Sequence, residues 1–194
     1  YQTQINDILL TALVRVLGKW SKQAGIHVLL EGHGREGIAE GLDVSRTVGW
    51  FTSMYPVYLE ADAEDIGEGV KQVKEQLRQI PNKGIGYGVL RYLEEKSKGE
   101  LSKRSYPEIV FNYLGQFGGG ETKAELLEFA KERCGRSVAE ENKSKHLLSI
   151  NSQIVHGMLQ IDWGYDGSRY DGMNIEKLAQ AYGEELKAII AHCC

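Results

Sequence analysis

The nine residues VLLEGHGRE at positions 28–36 predict a buried strand that ends in a tight, charged loop. Three apolar residues precede Glu31, which is the first of four ionisable side chains interspersed with two glycines. Packing alone rarely explains such a mixture of carboxylate, imidazole and guanidinium at the end of an apolar strand. Gly32 and Gly34 let the backbone bend closely around a bound molecule. Glu31 is therefore a candidate proton acceptor in a ligand site.

Each charged residue of this loop also has a purely structural interpretation. Glu31 could pair with Arg35 and hold the loop, since ion pairs serve structure as well as function. His33 could be a ligand, a base or a loop residue bonded to the backbone, and the last is the commonest role of a lone histidine. The forked donors of Arg35 and Arg46 suit phosphate or carboxylate, but either could be a solvated or internally paired arginine. The residues alone leave these alternatives open.

Apolar periodicity extends the prediction outward from this strand. An amphipathic helix over 4–21, capped by Thr3, precedes the strand. We expect the strand itself over 26–31, in the centre of a sheet, because it is apolar on both faces. Pro56 lacks a donor for the ladder and places the next strand at a sheet edge or at a bulge.

The rest of the chain alternates between helical and extended patterns. The predicted elements are a helix over 63–80, a short helix over 84–93, a charged loop over 96–105, a strand over 108–113, a glycine loop over 118–120, a helix over 122–134, paired strands over 147–152 and 158–163, and a C-terminal helix. This mixed order, with at least one hairpin, predicts an α/β (α+β) sandwich, that is, a mixed sheet flanked by helices.

The strand predicted over 108–113 carries a second pair of candidate residues. Alternation places Asn112 and Tyr113 on opposite faces unless the strand ends or bulges there, and Gly115 favours such an end. Tyr113 can donate a hydrogen bond to an oxyanion or act as an acid, although most strand tyrosines only pack.

Composition and charge exclude several classes of protein. The 194 residues carry a net charge of −4, which argues against a nucleic-acid binder. The sequence contains no apolar stretch of membrane-spanning length and no secretory signal. The odd set of Cys134, Cys193 and Cys194 predicts neither a disulfide framework nor a metal site, and it favours a reducing cytoplasm. Because the chain starts without Met, we expect a fragment or an excised lobe.

The glycine-rich sequence GIGYG at 84–88 is only superficially like a dinucleotide-binding loop. It follows a predicted helix instead of a strand, and no acidic residue stands at the end of a second strand about 20 residues further on, as the fingerprint requires. We therefore expect a helix start whose glycines pack closely against a neighbour. The sequence also shows no zinc spacing, nucleophile elbow or phosphate loop.

Four long motifs occur in an order that is found in one enzyme family. They span residues 31–36, 43–56, 81–88 and 111–117, and together they closely resemble the core motifs of epimerization domains from nonribosomal peptide synthetases. The resemblance implies a fold like that of chloramphenicol acetyltransferase and condensation domains, in which two similar lobes form a V around a tunnel. It also implies that residues 1–194 are the C-terminal lobe. The family's His-His-x-x-x-Asp-Gly motif belongs to the N-terminal lobe, which is absent, so we expect this lobe alone to be inactive.

The resemblance further implies inversion of the α-carbon, from L to D, of an aminoacyl or peptidyl thioester. The thioester hangs from the phosphopantetheine arm of a peptidyl carrier domain, and no cofactor is expected on this chain itself. The carbonyl acidifies the α-proton, and the resulting enolate needs a dry, preorganised site. Inversion requires proton donors and acceptors on both faces of a planar intermediate. We expect Glu31 to serve one face, while the second histidine of the missing motif serves the other or orients the enolate.

By the same resemblance Glu31 and Tyr113 are the catalytic residues, and Tyr113 hydrogen-bonds near the enolate or relays a proton. Five further residues are expected close to the substrate or the pantetheine arm: His33, Arg35, Ser45, Arg46 and Asn112. Asn112 shapes the site, and Arg35 tunes Glu31 or contacts the arm. No metal is expected.

Two other functions stay open at this point. A condensation domain, which joins two carrier-bound groups, shares the fold, but the motifs around Glu31 and Tyr113 favour epimerization. A non-catalytic lobe that only docks a carrier domain is the alternative from a different class. The expected partners are the N-terminal lobe and the carrier domain, with neither nucleic acid nor membrane. The sequence does not say which amino acid is inverted or whether the substrate is aminoacyl or peptidyl.

Overall fold

The computed structural model describes residues 1–37, 40–62, 64–117, 135, 139, 142 and 145–193. The loop predicted over 118–120 and the helix predicted over 122–134 lie outside these residues. Among the helices that the structure describes, none combines the length and the apolar character needed to cross a membrane.

Five strands and five α-helices form the described fold. In chain order they are α1 (Ile5–Ser21), β1 (Gly25–Gly32), β2 (Ser53–Glu60), α2 (Ile66–Arg78), a short 3₁₀ turn (Pro81–Gly84), α3 (Gly86–Tyr92), α4 (Glu95–Leu101), β3 (Ile109–Phe117), β4 (Leu148–Val155), β5 (Met158–Tyr165) and α5 (Gly172–Cys193). Every predicted element within the described residues is present except the charged loop over 96–105.

Two local predictions were wrong. Residues 95–101 form α4, whose start is capped by the Glu94 carboxylate accepting a hydrogen bond from the Ser97 amide. None of its residues is buried, so α4 has no apolar periodicity by which the sequence could show it. The cap of α1 is Gln4 instead of Thr3, because Gln4 and Asp7 exchange side-chain and backbone hydrogen bonds in a capping box.

The strands form one mixed sheet in the order β2-β1-β3-β4-β5. The pairs β1–β2 and β4–β5 are antiparallel, whereas β1–β3 and β3–β4 are parallel. β1 lies between two neighbours, as its apolar sequence predicts. β2 is an edge strand, which explains how Pro56 is tolerated within it.

One face of the sheet is covered by α1, α2 and α5 and carries the main core. Alternate residues of the strands point into this core, among them Val28 and Leu30 of β1 and Phe111 of β3. Every residue of α1 from Leu9 to Gly18 is buried, since the helix lies between the sheet and both neighbouring helices. The sequence predicts a helix with one apolar face, and the structure buries that helix on all sides.

The intervening strand residues belong to the opposite face. Alternation therefore assigns Glu31, next to Leu30, and Asn112, next to Phe111, to the face that turns away from α1 and α5. On this second face the register continues the row from Asn112 to Asn151 of β4 and Asp162 of β5. The mixed sheet with helices on its sides matches the predicted fold class.

Candidate active site

Glu31 and Asn112 meet where the parallel pairing of β1 with β3 ends, near the carboxyl end of β1 and within β3. The register aligns Leu30 with Phe111, so the next residue of each strand lies side by side on one face. The Asn112 side-chain amide donates a hydrogen bond of 3.0 Å from Nδ2 to Glu31 Oε2, and both residues are partly buried. The bond fixes one carboxylate oxygen and leaves the lone pairs of the other oxygen for a further partner.

A cavity of about 260 Å³ opens at this end of the sheet. Glu31 and Tyr113 both line it, together with residues from α1, β2, α2 and the turn before α3: Gln4, Asn6, Asp7, Leu10, Leu30, Tyr55, Leu77, Arg78, Ile80, Lys83 and Phe111. Tyr113 packs against the core on the helix-covered face, whereas Asn112 belongs to the opposite face, as strand alternation predicts. The cavity thus gathers Glu31 and Tyr113 although they come from different strands.

The strand β3 does not end at Gly115, contrary to the sequence-based expectation. It continues to Phe117 through a β-bulge, because three steps from Tyr113 to Gln116 oppose only two steps from Ser152 to Ile154. Gly115 adopts a φ of 99°, a conformation that glycine accepts without steric cost. The bulge starts directly after the Asn112–Tyr113 pair.

The loop after β1 folds back on the start of β2. Gly34 has a φ of 69°, and a Cβ atom there would lie 1.6 Å from the Phe51 carbonyl oxygen. Glycine is thus required at this position by the close approach of another segment of the chain itself. This contact holds the loop that joins β1 and β2 against the residues that immediately precede β2.

Arg35 organises this loop and does not pair with Glu31. Its guanidinium donates hydrogen bonds to the carbonyl oxygens of Val44 and Gly49, the latter at 3.3 Å. The Arg35 Cζ atom also lies 4.2 Å from the centroid of the Phe51 ring, a cation–π contact. Of the open alternatives, the structure therefore shows Arg35 as an internally bonded residue.

His33 is also bonded within the loop. Its Nδ1 accepts a hydrogen bond from the Arg35 amide at 3.0 Å, and its Nε2 lies 3.1 Å from a Glu36 oxygen. The second Glu36 oxygen is 3.0 Å from the Lys83 ammonium group. Glu36 thereby connects the loop after β1 to the turn before α3.

Ser45 and Arg46 lie in an exposed turn of the same loop. The Ser45 amide donates to Asp43 Oδ1 at 2.9 Å, and this bond holds the pKa of Asp43 below its ordinary value. Arg35 anchors the turn through the Val44 carbonyl oxygen, so Ser45 and Arg46 share a loop with Arg35.

An ion pair that the sequence analysis missed forms one wall of the cavity. The Asp7 side chain is buried and accepts two hydrogen bonds from the Arg78 guanidinium, at 3.0 and 2.7 Å. These bonds raise the pKa of Arg78. The available signal was a carboxylate within the apolar pattern of α1, since a buried carboxylate normally has a partner.

Lys83 is the other missed residue of the cavity wall. It sits in the turn Pro81–Gly84, where Asn82, Lys83 and Gly84 have φ values of 46°, 50° and 78°. A Cβ atom at Gly84 would lie 2.1 Å from the Tyr55 ring, so the expected close packing of a glycine near the helix start is present there. Burial raises the pKa of Tyr55, and the nearby Glu36 carboxylate adds to the effect.

Among the described residues, no group of three or more His, Cys, Asp and Glu side chains could hold a metal ion. The ionisable side chains that line the small cavity are two hydrogen-bonded carboxylates, Glu31 and Asp7, two tyrosines, Tyr55 and Tyr113, and the cationic Arg78 and Lys83.

Relatives of known name are similar to this protein along its whole chain. The family model for condensation domains matches residues 1–194. Bacitracin synthase 3 of Bacillus licheniformis is 44% identical over 198 residues, and tyrocidine synthase 1 of Brevibacillus parabrevis is 41% identical over 203 residues. Both matches cover 100% of this chain, but they span only 3% and 19% of the two synthases.

Solved structures give the same picture of the fold. The crystal structure of the epimerization domain from the third module of tyrocidine synthetase B matches with a TM-score of 0.88 and 44% identity, over 100% of this chain and 43% of that one. The first condensation domain of the CDA synthetase matches with a TM-score of 0.59 and 13% identity, over 96% of this chain and 39% of that one, which bears on the fold alone. The predicted chloramphenicol acetyltransferase-like fold is confirmed.

Proposed function

This chain belongs to the condensation-domain family, and we propose that it is the C-terminal lobe of an epimerization domain of a nonribosomal peptide synthetase. The proposal is supported by the much closer likeness to a solved epimerization domain, 44% identity against 13% for a condensation domain. The chain matches 43% of that epimerization domain, which leaves room for a second lobe of similar size. The single observation that carries the chemistry is the Glu31 carboxylate, bonded to Asn112 at the mouth of a cavity that Tyr113 also lines.

In the proposed reaction Glu31 removes the α-proton of an aminoacyl or peptidyl thioester. The C–H bond breaks, the proton passes to the free carboxylate oxygen, and the electron pair moves onto the thioester oxygen as an enolate. A proton then returns to the α-carbon from the opposite face, which inverts the centre. A carboxylate positioned for such a transfer contributes about 10²- to 10⁴-fold to the rate.

Asn112 keeps Glu31 in place for this step. The Asn112 Nδ2 group donates a hydrogen bond to Glu31 Oε2, so Glu31 Oε1 is the oxygen that faces the substrate. Tyr113 serves as a hydrogen-bond donor near the enolate oxygen or as a proton relay, since it lines the same cavity as Glu31.

The proposal assigns the second face of the enolate to the N-terminal lobe and its His-His-x-x-x-Asp-Gly motif. This chain by itself is then inactive. The substrate is delivered by a peptidyl carrier domain on its phosphopantetheine arm, and the chain binds no cofactor of its own. In this proposal the partners belong to a cytoplasmic assembly line for peptide antibiotics. The names of the relatives, bacitracin synthase 3 and tyrocidine synthase 1, support the peptide-synthesis part of the proposal.

The test follows deuterium incorporation at the α-carbon. The complete two-lobed protein is incubated in heavy water with a carrier domain loaded with an amino acid, and the released amino acid is analysed for α-deuterium and for chirality. We expect exchange and racemisation in the wild type and a loss of about 10²-fold or more in Glu31→Gln. Glu176→Gln, which neutralises an exposed carboxylate on α5, is the matched control and keeps the wild-type rate. Undiminished exchange in Glu31→Gln would remove Glu31 as the base.

A condensation domain is the second candidate, because the family model that matches is that of condensation domains. Supplying a second carrier with an amino acid acceptor separates the two functions. Peptide formation without α-exchange would support condensation. The absence of both peptide formation and α-exchange would support a lobe that only docks a carrier domain.

A further inference from the structure

Ser152 of β4 is a fully buried polar side chain behind the candidate active site. Its exposed fraction is 0%, and its hydroxyl donates a hydrogen bond of 3.1 Å to the Asn112 carbonyl oxygen. The register pairs it with Tyr113. Ser152 therefore contacts the peptide that joins the two candidate residues Asn112 and Tyr113.

The other buried polar side chains among the described residues have a place in helix packing. Asp7, Thr11 and Arg15 lie on α1 and bond to α1 itself, α2, α5 or the segment before α2, and Arg91 bonds to the segment around α4. Ser152 is the member of this set that lies in the sheet. A small apolar residue would fill its place in the core equally well, so its hydroxyl calls for a separate explanation.

The β-bulge supplies that explanation. The regular pairing of β3 with β4 stops at Tyr113 and Ser152 and resumes only at Gln116 and Ile154, with one extra residue in β3. A bulge interrupts the ladder and bends the strand, which leaves the residue next to it less firmly held. The Ser152 hydroxyl adds a hydrogen bond at the last regular pair, on the peptide where a small rotation would move both Asn112 and Tyr113.

We propose that Ser152 is a positioning residue of the active site. Its hydroxyl fixes the plane of the Asn112–Tyr113 peptide, and through it the aim of the Tyr113 ring. This inference rests on the proposed epimerase function. A displacement of about 1 Å at a reacting group can lower a rate by up to about 10²-fold, so a single buried hydroxyl can matter to catalysis.

The experiment measures α-deuterium exchange on the loaded carrier with the complete two-lobed protein. Ser152→Ala removes the hydroxyl, and Ser152→Cys keeps the side-chain connectivity with a somewhat larger atom that is only a weak donor. We expect both variants to lower kcat by about tenfold, with the KM for the loaded carrier unchanged, because carrier docking does not involve this peptide. Ser149→Ala, on the same strand but on the other face, is the matched control and keeps the wild-type kcat.

A double-mutant cycle with Tyr113→Phe separates positioning from loss of stability. If Ser152 acts through Tyr113, the variant carrying Ser152→Ala and Tyr113→Phe is about as slow as Tyr113→Phe alone. Losses that multiply would overturn the inference, and so would a wild-type kcat in Ser152→Ala. If the wild-type protein shows no α-exchange, the proposed function is overturned, and this inference with it. If the wild-type protein exchanges normally and Ser152→Ala is equally active, only this inference is overturned. Urea unfolding of each variant confirms that the folded state is populated during the assay.

Discussion

Two of the cavities in the described structure lie at opposite ends of β1, β3 and β4, and the proposed reaction is placed at the smaller of the two. The larger, of about 740 Å³, is a groove at the amino ends of the sheet, where Ile26, Ile109 and Leu148 begin their strands. The smaller, of about 260 Å³, lies at the carboxyl ends beside Glu31 and Tyr113. Volume alone would select the other end of the molecule, away from the residues that carry the proposed function.

The groove at the amino end is lined largely by rings and aliphatic side chains. Tyr106 there bonds to the Tyr92 hydroxyl at 2.8 Å, and Arg91 lies over the Tyr106 ring at 4.3 Å. Burial, helped by the bond to Tyr92, raises the pKa of Tyr106 to about 12, so this hydroxyl stays protonated at neutral pH and is a poor acid. The Arg91 guanidinium donates hydrogen bonds to the carbonyl oxygens of Leu101 and Arg104. These contacts join α3 and α4 to the segment before β3.

The carboxyl end differs in that its cavity is lined by the Glu31 carboxylate, which keeps unused bonding capacity. Glu31 has one oxygen fixed and one available, whereas the polar groups at the amino end bond to one another. Capacity for a further partner, and not the size of the cavity, therefore distinguishes the end at which we propose the reaction. Three changes test this contrast.

The largest effect is expected from Gly34→Ala at the carboxyl end. The positive φ and the approach of the Phe51 carbonyl leave no room for a methyl group, so the loop beside Glu31 must move. We expect a loss of about 3–4 kcal/mol in the free energy of unfolding, together with a fall in α-exchange. Gly37→Ala is the control, because a Cβ atom there meets nothing within 4 Å. Unfolding in urea and the exchange assay measure both effects, and equal stability of the two variants would contradict the role of Gly34.

A smaller and asymmetric loss is expected from the Asp7–Arg78 pair. Breaking a buried pair costs about 3–5 kcal/mol when a charge is left behind, and Arg78→Leu strands the buried Asp7 carboxylate in this way. Because Arg78 is 40% exposed, we expect a loss nearer to about 2–3 kcal/mol for Arg78→Leu and a smaller one for Asp7→Asn, whose partner reaches water. Urea unfolding at low and high salt measures both. A larger loss in Asp7→Asn than in Arg78→Leu would show that this account of the pair is wrong.

The smallest effect is expected from Tyr106→Phe at the amino end. Removing the bond to Tyr92 costs about 1 kcal/mol or less, and α-exchange stays at the wild-type rate. The raised pKa of Tyr106 also predicts the direction in which stability changes with pH. A tyrosine held neutral in the folded state contributes stability that is present below its ordinary pKa of 10 and is lost as the pH rises towards 12.

The control for Tyr106→Phe is the pH dependence of its free energy of unfolding. Tyr106→Phe should lose less stability than the wild type between pH 10 and 12, as followed by unfolding at each pH. A reduced exchange rate in Tyr106→Phe at neutral pH would mean that the amino-end groove takes part in the reaction.

Local sequence patterns predicted most of the fold because they report burial directly. The uninterrupted apolar run of β1, the proline of β2 and the hairpin of β4 and β5 each depend on neighbours within one element. α4 was missed because an exposed helix of seven residues buries nothing and has no period to detect. The bulge in β3 was missed for a related reason: Gly115 marks an irregularity, but only the partner strand decides whether the strand ends or continues.

The residues of the candidate site were likewise predicted only in part. Glu31 was a candidate because it ends an apolar strand, and the family resemblance added Tyr113. The structure places both in the lining of one cavity, and their catalytic roles stay predictions. Arg35, His33 and the turn of Ser45 and Arg46 were predicted close to the substrate. The structure shows Arg35 and His33 engaged in holding their own loop, and the roles expected for all four near a substrate stay predictions.

The sequence by itself determined which segments are buried, where an edge strand lies and which carboxylate follows the most apolar strand. Only the tertiary structure decided the partners: Glu31 with Asn112 across 81 positions, Asp7 with Arg78 across 71, and Ser152 with the Asn112 carbonyl across 40. The reason is physical. Periodicity encodes which face of an element leaves water, but hydrogen bonds between strands depend on strand order and register, which the sum of all packing contacts fixes together.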